Sequence, residues 1–178
     1  ALVEKVDMSN YHSLLDIAGA SGIYALYMVF KNPHMIAAVL EKPPVDRIAE
    51  YSINRRGMSG KIKVVAKDMF REEFPEGFDV HLFSNVLHDW GFDKIKKLLD
   101  NSYRNLNSNG QVLIHDSHIN SGKNGPLEVA EYSVLLMFST EGKCYSFLEL
   151  KSIMEDIGFS EIQFIPTVAN RSLITGKK

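Results

Sequence analysis

Leu14-Leu15-Asp16-Ile17-Ala18-Gly19-Ala20-Ser21-Gly22 is the stretch on which the reading of this chain turns. Three branched apolar residues surround a single acid, and every residue after Ile17 is small. The pattern predicts a buried strand, Ser13–Ile17, that runs straight into a tight turn. An apolar helix over 23–30 follows, stopped by Asn32-Pro33. Outward from there the same alternation repeats, as βαβ units around a parallel sheet require. The second strand covers 37–40, with Glu41 at its end, and a helix over 45–56 follows Pro43-Pro44. Further strands are expected at Ile62–Ala66, 78–83 and 111–116. Ile95, Leu98, Leu99, Tyr103 and Leu106 recur at helical steps behind Asp93, a plausible N-cap, and Asn109-Gly110 supplies a turn. Ser146 and Glu149 have capping-box spacing before a stripe of Phe147, Leu150, Ile153, Met154 and Ile157. Gly158 then suits a left-handed helix end, with Phe159 folding back. Strands at 162–165 and 172–175 have no helix between them and read as a hairpin.

At 178 residues with 45% hydrophobic and 24% charged content, the chain is sized and composed for one globular domain, 1–178. A net charge of −2 offers no basic field for nucleic acid and no cationic face for lipid. No apolar run approaches the roughly 20 residues of a membrane span. One cysteine builds no disulfide framework, and a reducing, cytoplasmic compartment is the expectation.

Ligands of open α/β sheets bind beyond the carboxyl ends of the strands. Asp16, Glu41, Asp68, the Asn85–His88 segment and Asp116 all fall there. The turn after Asp16 lets a ligand approach the backbone closely. Glu41, about 20 residues further on, sits where a carboxylate accepts both hydroxyls of a ribose. A dinucleotide-binding dehydrogenase shares these features. The glycine spacing G-x-G-x-x-G is broken by Ala18 and Ala20, however, and Asp16 would repel a pyrophosphate and attract an ammonium group. A cationic nucleoside carrying an amino acid fits better, which points to S-adenosylmethionine.

The quoted turn resembles D-x-G-G-G-x-G of the small-molecule O-methyltransferases of the caffeate and hydroxyindole type. Asp68-Met69-Phe70 resembles their G-D-M-F, with Lys67 for the glycine, and Asn85-Val86-Leu87-His88-Asp89-Trp90 resembles their L-H-D-W stretch. The segment from Gly142-Lys143-Cys144-Tyr145-Ser146 to Gly158-Phe159 follows the same layout. The resemblance implies a Rossmann-like class I methyltransferase fold: a mostly parallel seven-stranded sheet, helices on both faces and a C-terminal antiparallel hairpin. It implies that Asp16, Ala18 and Gly19 hold the methionyl part of S-adenosylmethionine, Glu41 the ribose, and Asp68 and Met69 the adenine. Ser84 stands where plant members carry a lysine near the cofactor. His88 matches the general base and Asp116 the acid that steers it, while a second supporting acid falls at Cys144. The product would be S-adenosylhomocysteine.

The family also carries an N-terminal dimerising domain, so the expectation is a catalytic domain that forms a homodimer only within a longer protein. The acceptor is expected to be a small, aromatic hydroxyl compound. Two other outcomes stay open: a non-catalytic module that binds the cofactor, suggested by Ala18, Ala20, Lys67 and Cys144, and methyl transfer to carbon or nitrogen. His81, His115 and His118 read as core or surface histidines, and Met69 and Trp90 also have a plain packing reading. No His/Cys spacing suits a metal, and Cys144 has no neighbouring base to make it a nucleophile.

Overall fold

The computed structural model of the chain describes residues 2–178. Its strands are β1 (Ser13–Ile17), β2 (Ile36–Glu41), β3 (Ile62–Ala66), β4 (Phe78–Ser84), β5 (Leu106–Asp116), β6 (Ser160–Pro166) and β7 (Ser172–Lys177). Together they form one sheet in the order β3-β2-β1-β4-β5-β7-β6. The first five pair in parallel, and β7 enters antiparallel between β5 and β6. This is the expected topology, C-terminal hairpin included.

The inner strands are buried on both faces, which is why they read as nearly continuous apolar runs, whereas the edge strands β3 and β6 are largely open. Side chains alternate across the pleat. Leu14, Ala37, Val39, Val80, Leu82 and Leu113 face α1 (Ile23–Lys31) and α2 (Asp46–Arg55), meeting Ala25, Met28, Ala49 and Ile53. Leu15, Ile17, Leu40, Phe83, Val112 and Ile114 face the other way. There they meet Ile95, Leu98 and Leu99 of α3 (Phe92–Asn105) and Leu150 and Met154 of α5 (Phe147–Ile157). The capping box on α5 is formed: the Glu149 amide donates to Ser146 Oγ and the Ser146 amide to Glu149 Oε2. Gly158 ends the helix with φ 119°, and Phe159 packs edge-on to Tyr103 at 4.9 Å.

Three local expectations are corrected. Asp93 does not cap α3; the N-cap is Gly91, no side chain bonds there, and Asp93 lies in the first turn, where its charge suits the helix dipole. Leu106 belongs to β5 rather than to the helix stripe. Asn109-Gly110 is not a turn ahead of the strand but an irregularity inside it. Phe78 pairs with Leu106 and Val80 with Gln111, so the extra residues bulge out, with Asn109 at φ 63°. One element was not foreseen: α4 (Leu127–Ser139). Its Val129 and Leu136 are buried, but Leu127, Val134, Leu135, Met137 and Phe138 are exposed. Apolar residues on every side leave no single stripe to read.

Candidate functional site

The strand order reverses between β1 and β4, and of the predicted residues Ala18, Glu41, Asp68 and Met69 line one cavity at the strand ends, which His88 and Asp116 do not line. Asp16 ends up under the turn. It is wholly buried, its Oδ2 accepts from the Ala25 amide at 3.2 Å, and its Oδ1 has no partner. Burial pushes its carboxyl up to about 7; the Ala25 amide opposes this and the Glu41 charge adds to it. Gly19 lies directly above, where a Cβ would stand 2.5 Å from Asp16 Cγ. Ala18 and Ala20 hold φ values of 53° and 50°, the left-handed region in which the family motif has glycine. Each alanine costs about 1–2 kcal/mol there. Glu41 secures this conformation, because its Oε1 accepts from the Ala20 amide at 2.8 Å.

Beside the turn opens a cavity of about 130 Å³ lined by Ala18, Glu41, Asp68, Met69, Phe70 and Trp90, among others. Asp68 Oδ1 accepts from the Phe70 amide at 2.9 Å, which shapes the loop after β3. The Phe70 and Trp90 rings meet edge-on at 4.6 Å, and Lys94 Nζ lies 4.6 Å from the centre of the Trp90 ring. Trp90, read from sequence also as packing, is thus a cavity wall. Ser84 is placed differently: its hydroxyl meets His115 Nδ1 at 3.1 Å, and it does not line that cavity.

His88 and Asp116 come together although 28 residues separate them. His88 lies in a short 3-10 turn, Leu87–Asp89, and Asp116 ends β5. His88 Nδ1 donates to Asp116 Oδ1 at 2.6 Å, and the same oxygen accepts from the Ser117 amide at 2.7 Å. A carboxylate only accepts, so the proton belongs on Nδ1 and the lone pair of the neutral ring on Nε2. Burial pulls the His88 pKa down, but the hydrogen bond and charge of Asp116, with the charge of Asp89, overcome it, and the net shift is upward.

The turn that carries His88 rests on Gly142. A Cβ there would stand 2.2 Å from the His88 carbonyl oxygen and 2.7 Å from the Trp90 nitrogen. Both neighbours are backbone and cannot swing aside. Gly142→Ala is therefore expected to destabilise the chain by about 1–3 kcal/mol in urea denaturation. A loss below about 0.5 kcal/mol would show that the turn yields freely.

Of the remaining histidines, His12 and His34 are exposed, and His81, His115 and His118 are buried. His81 Nδ1 meets Ser102 Oγ at 2.9 Å, and burial holds its pKa down at about 3. His118 meets Ser172 Oγ at 2.7 Å, and burial takes it to about 4. Cys144 is buried, and burial, then the Asp116 charge, push its thiol up to about 12, where no useful thiolate exists. Among the described residues, no helix is long and apolar enough to cross a membrane.

Sequence reasoning missed two neighbours of the predicted set. Phe70, which has no site role in the motif it belongs to, lines the cavity. Tyr132, on the unforeseen α4, sets its ring edge-on to His88 at 5.6 Å, and nothing in the local pattern signals it.

The family model described as O-methyltransferase domain matches residues 1–160. The 3-hydroxy-5-methyl-1-naphthoate 3-O-methyltransferase of Streptomyces sahachiroi is 31% identical over 92% of this chain and 48% of its own length. The L-tyrosine C(3)-methyltransferase of Streptomyces lavendulae is 32% identical over 92% of this chain and 45% of its own. The chain thus spans about half the length of these curated relatives. Among solved structures, human N-acetylserotonin methyltransferase in complex with SAM superposes with a TM-score of 0.91 at 26% identity, covering 99% of this chain and 50% of that one. By its sheet topology the chain has the class I methyltransferase fold, and by the match over most of its length it belongs to the O-methyltransferase domain family.

Proposed function

We propose that residues 1–178 form the catalytic domain of an S-adenosylmethionine-dependent O-methyltransferase that acts on a hydroxyl of a small aromatic compound, with His88 as general base. The observation that carries this reading is the His88–Asp116 pair, 2.6 Å apart, with Trp90, two residues beyond His88, lining the same cavity as Glu41. When bound, S-adenosylmethionine supplies an electrophilic methyl group on its sulfonium. The residues present suit it. Asp16 Oδ1 is a buried acceptor without a partner beneath a turn free of bulky side chains, as an ammonium group would require. Ala18 and Gly19 offer backbone to the methionyl part, Glu41 meets the ribose, and Asp68 and Met69 meet the adenine. Trp90 joins them as a wall. His88 takes the acceptor proton on Nε2, while Asp116 fixes the ring and stabilises the imidazolium as it forms.

The protein carrying this domain acts as a homodimer in the cytoplasm on this reading, and the low net charge of residues 1–178, −2, suits small-molecule partners better than nucleic acid. A carbon acceptor is the second reading. It is favoured by the similarity to a C(3)-methyltransferase of tyrosine, since removing a phenol proton serves ring methylation as well. Methyl transfer from labelled S-adenosylmethionine to a panel of phenols, with the product's new bond located by NMR, separates the two. No transfer to any phenol, alongside intact cofactor binding, would leave only a binding module.

The ribose assignment has its own test. Glu41→Ala is expected to weaken S-adenosylhomocysteine binding about ten- to a hundredfold in calorimetry, the worth of a charge-assisted hydrogen bond. Glu41→Gln, which can still accept from the Ala20 amide, is expected to lose less. Unchanged affinity in the alanine variant would remove Glu41 from the site.

A further inference from the structure

With Nδ1 committed to Asp116, everything His88 does must pass through Nε2. Two side chains stand at that atom. Asp89 Oδ1 is 3.5 Å away, and so is the Tyr132 hydroxyl. The two are not equivalent toward a neutral ring. A carboxylate has no proton to give a lone pair, whereas a phenol does. Tyr132 keeps that proton, because burial, then the charge of Asp116, raise its pKa above the ordinary 10. Its ring lies edge-on to the imidazole, at 84°, so aromatic packing as well as the hydrogen bond locates the hydroxyl.

We propose that Tyr132 is a positioning residue that stands in for the acceptor: its O–H occupies the donor's place on His88 Nε2, and the acceptor hydroxyl enters by replacing it. The inference rests on the reading of His88 as the base. A hydrogen bond given to the neutral ring favours the neutral form. Tyr132 therefore holds the base ready for a proton, against the upward pull of Asp116 and Asp89. Once Nε2 is protonated the preference reverses: the phenol can then only accept, and more weakly than a carboxylate, so Asp89 becomes the preferred acceptor. The exchange requires the Tyr132 bond to be weak, and 3.5 Å is the long limit of a hydrogen bond. The other charged or titratable groups felt by the ring are Arg171, which lowers its pKa, and the core histidine His118.

The test is a ¹⁵N-resolved pH titration of the His88 ring in the 178-residue chain, for wild type, Tyr132→Phe and Tyr132→Leu. In the wild type, neutral His88 should carry its proton on Nδ1. Tyr132→Phe keeps the ring contact and loses only the hydroxyl, so the proton affinity of His88 should rise about two- to fivefold, the weak end of a neutral hydrogen bond. In the active protein, the acid limb of the rate profile should move to higher pH by the same factor. An identical titration in wild type and Tyr132→Phe overturns the proposal. So does a shift that appears only in Tyr132→Leu, since that would assign Tyr132 to packing alone. The titration needs no turnover: a shift in Tyr132→Phe with no methyl transfer would cost the functional reading only, and transfer without the shift would cost Tyr132 only.

Discussion

Replacing His88 by alanine is expected to lower methyl-transfer turnover by roughly 10²–10⁴-fold, the usual worth of a positioned general base. Cofactor affinity should stay within about twofold, because no residue assigned to the cofactor depends on the imidazole. The size of the effect follows from the acceptor. A phenol of pKa near 10 is almost wholly protonated at neutral pH, so turnover relies on a group that removes the proton in the reacting complex. His88 is that group only when neutral, and its pKa lies above the ordinary 6.5. The wild-type rate should therefore fall as pH drops, with the midpoint of the acid limb above 6.5, and this limb should vanish in His88→Ala. Asp116→Asn should act in the same direction but less severely, since the base survives while its tautomer and counter-charge are lost. Single-turnover kinetics beside a cofactor titration decides the matter. Full rate in His88→Ala would make His88 a packing residue, and parallel loss of cofactor binding would make the pair a support of the fold.

Asp16→Asn is expected to stabilise the cofactor-free chain progressively as pH rises, by up to about 4 kcal/mol above pH 7. The Asp16 carboxyl moves from 3.8 to about 7 on folding, chiefly through burial. Between those values the folded state holds a proton that the unfolded chain has released. Stability of the wild type is thus full below the unfolded pKa and declines until the pH reaches the folded one. About three pH units at 1.36 kcal/mol each set the ceiling. Asparagine can accept from the Ala25 amide as Asp16 does but never ionises. Urea denaturation at pH 3.5, 6 and 8 should show the two proteins nearly equal at the acid end and diverging above it. Saturating S-adenosylhomocysteine should narrow the gap, because an ammonium group favours the ionised carboxyl that only the wild type has. Parallel stability curves for the two proteins would mean that Asp16 is not held neutral by its burial.

Much of this protein is written locally. The apolar runs Ser13–Ile17 and Ile62–Ala66, with helical periodicity between strands, determine a parallel α/β sheet, because period and burial are properties of neighbouring residues. The Ser146–Glu149 capping box needs only three-residue spacing and formed as read. Glu41, Asp68 and Asp116 were legible as strand-end acids for the same reason. What the tertiary structure alone decided lies where distant segments meet. Asp93 lost its cap to Gly91, and Asn109-Gly110 became a bulge because β5 had to pair with β4. Ser84 turned to His115, a partner set by strand register. The high pKa of Asp16 comes from its enclosure beneath Gly19, not from the residue type. The surroundings of His88 draw on β5 for Asp116, on α4 for Tyr132 and on the Gly142 backbone, none adjacent in sequence. Periodicity records which face of an element is buried. It does not record which side chain from another element arrives there, and that arrival sets the proton's place on His88.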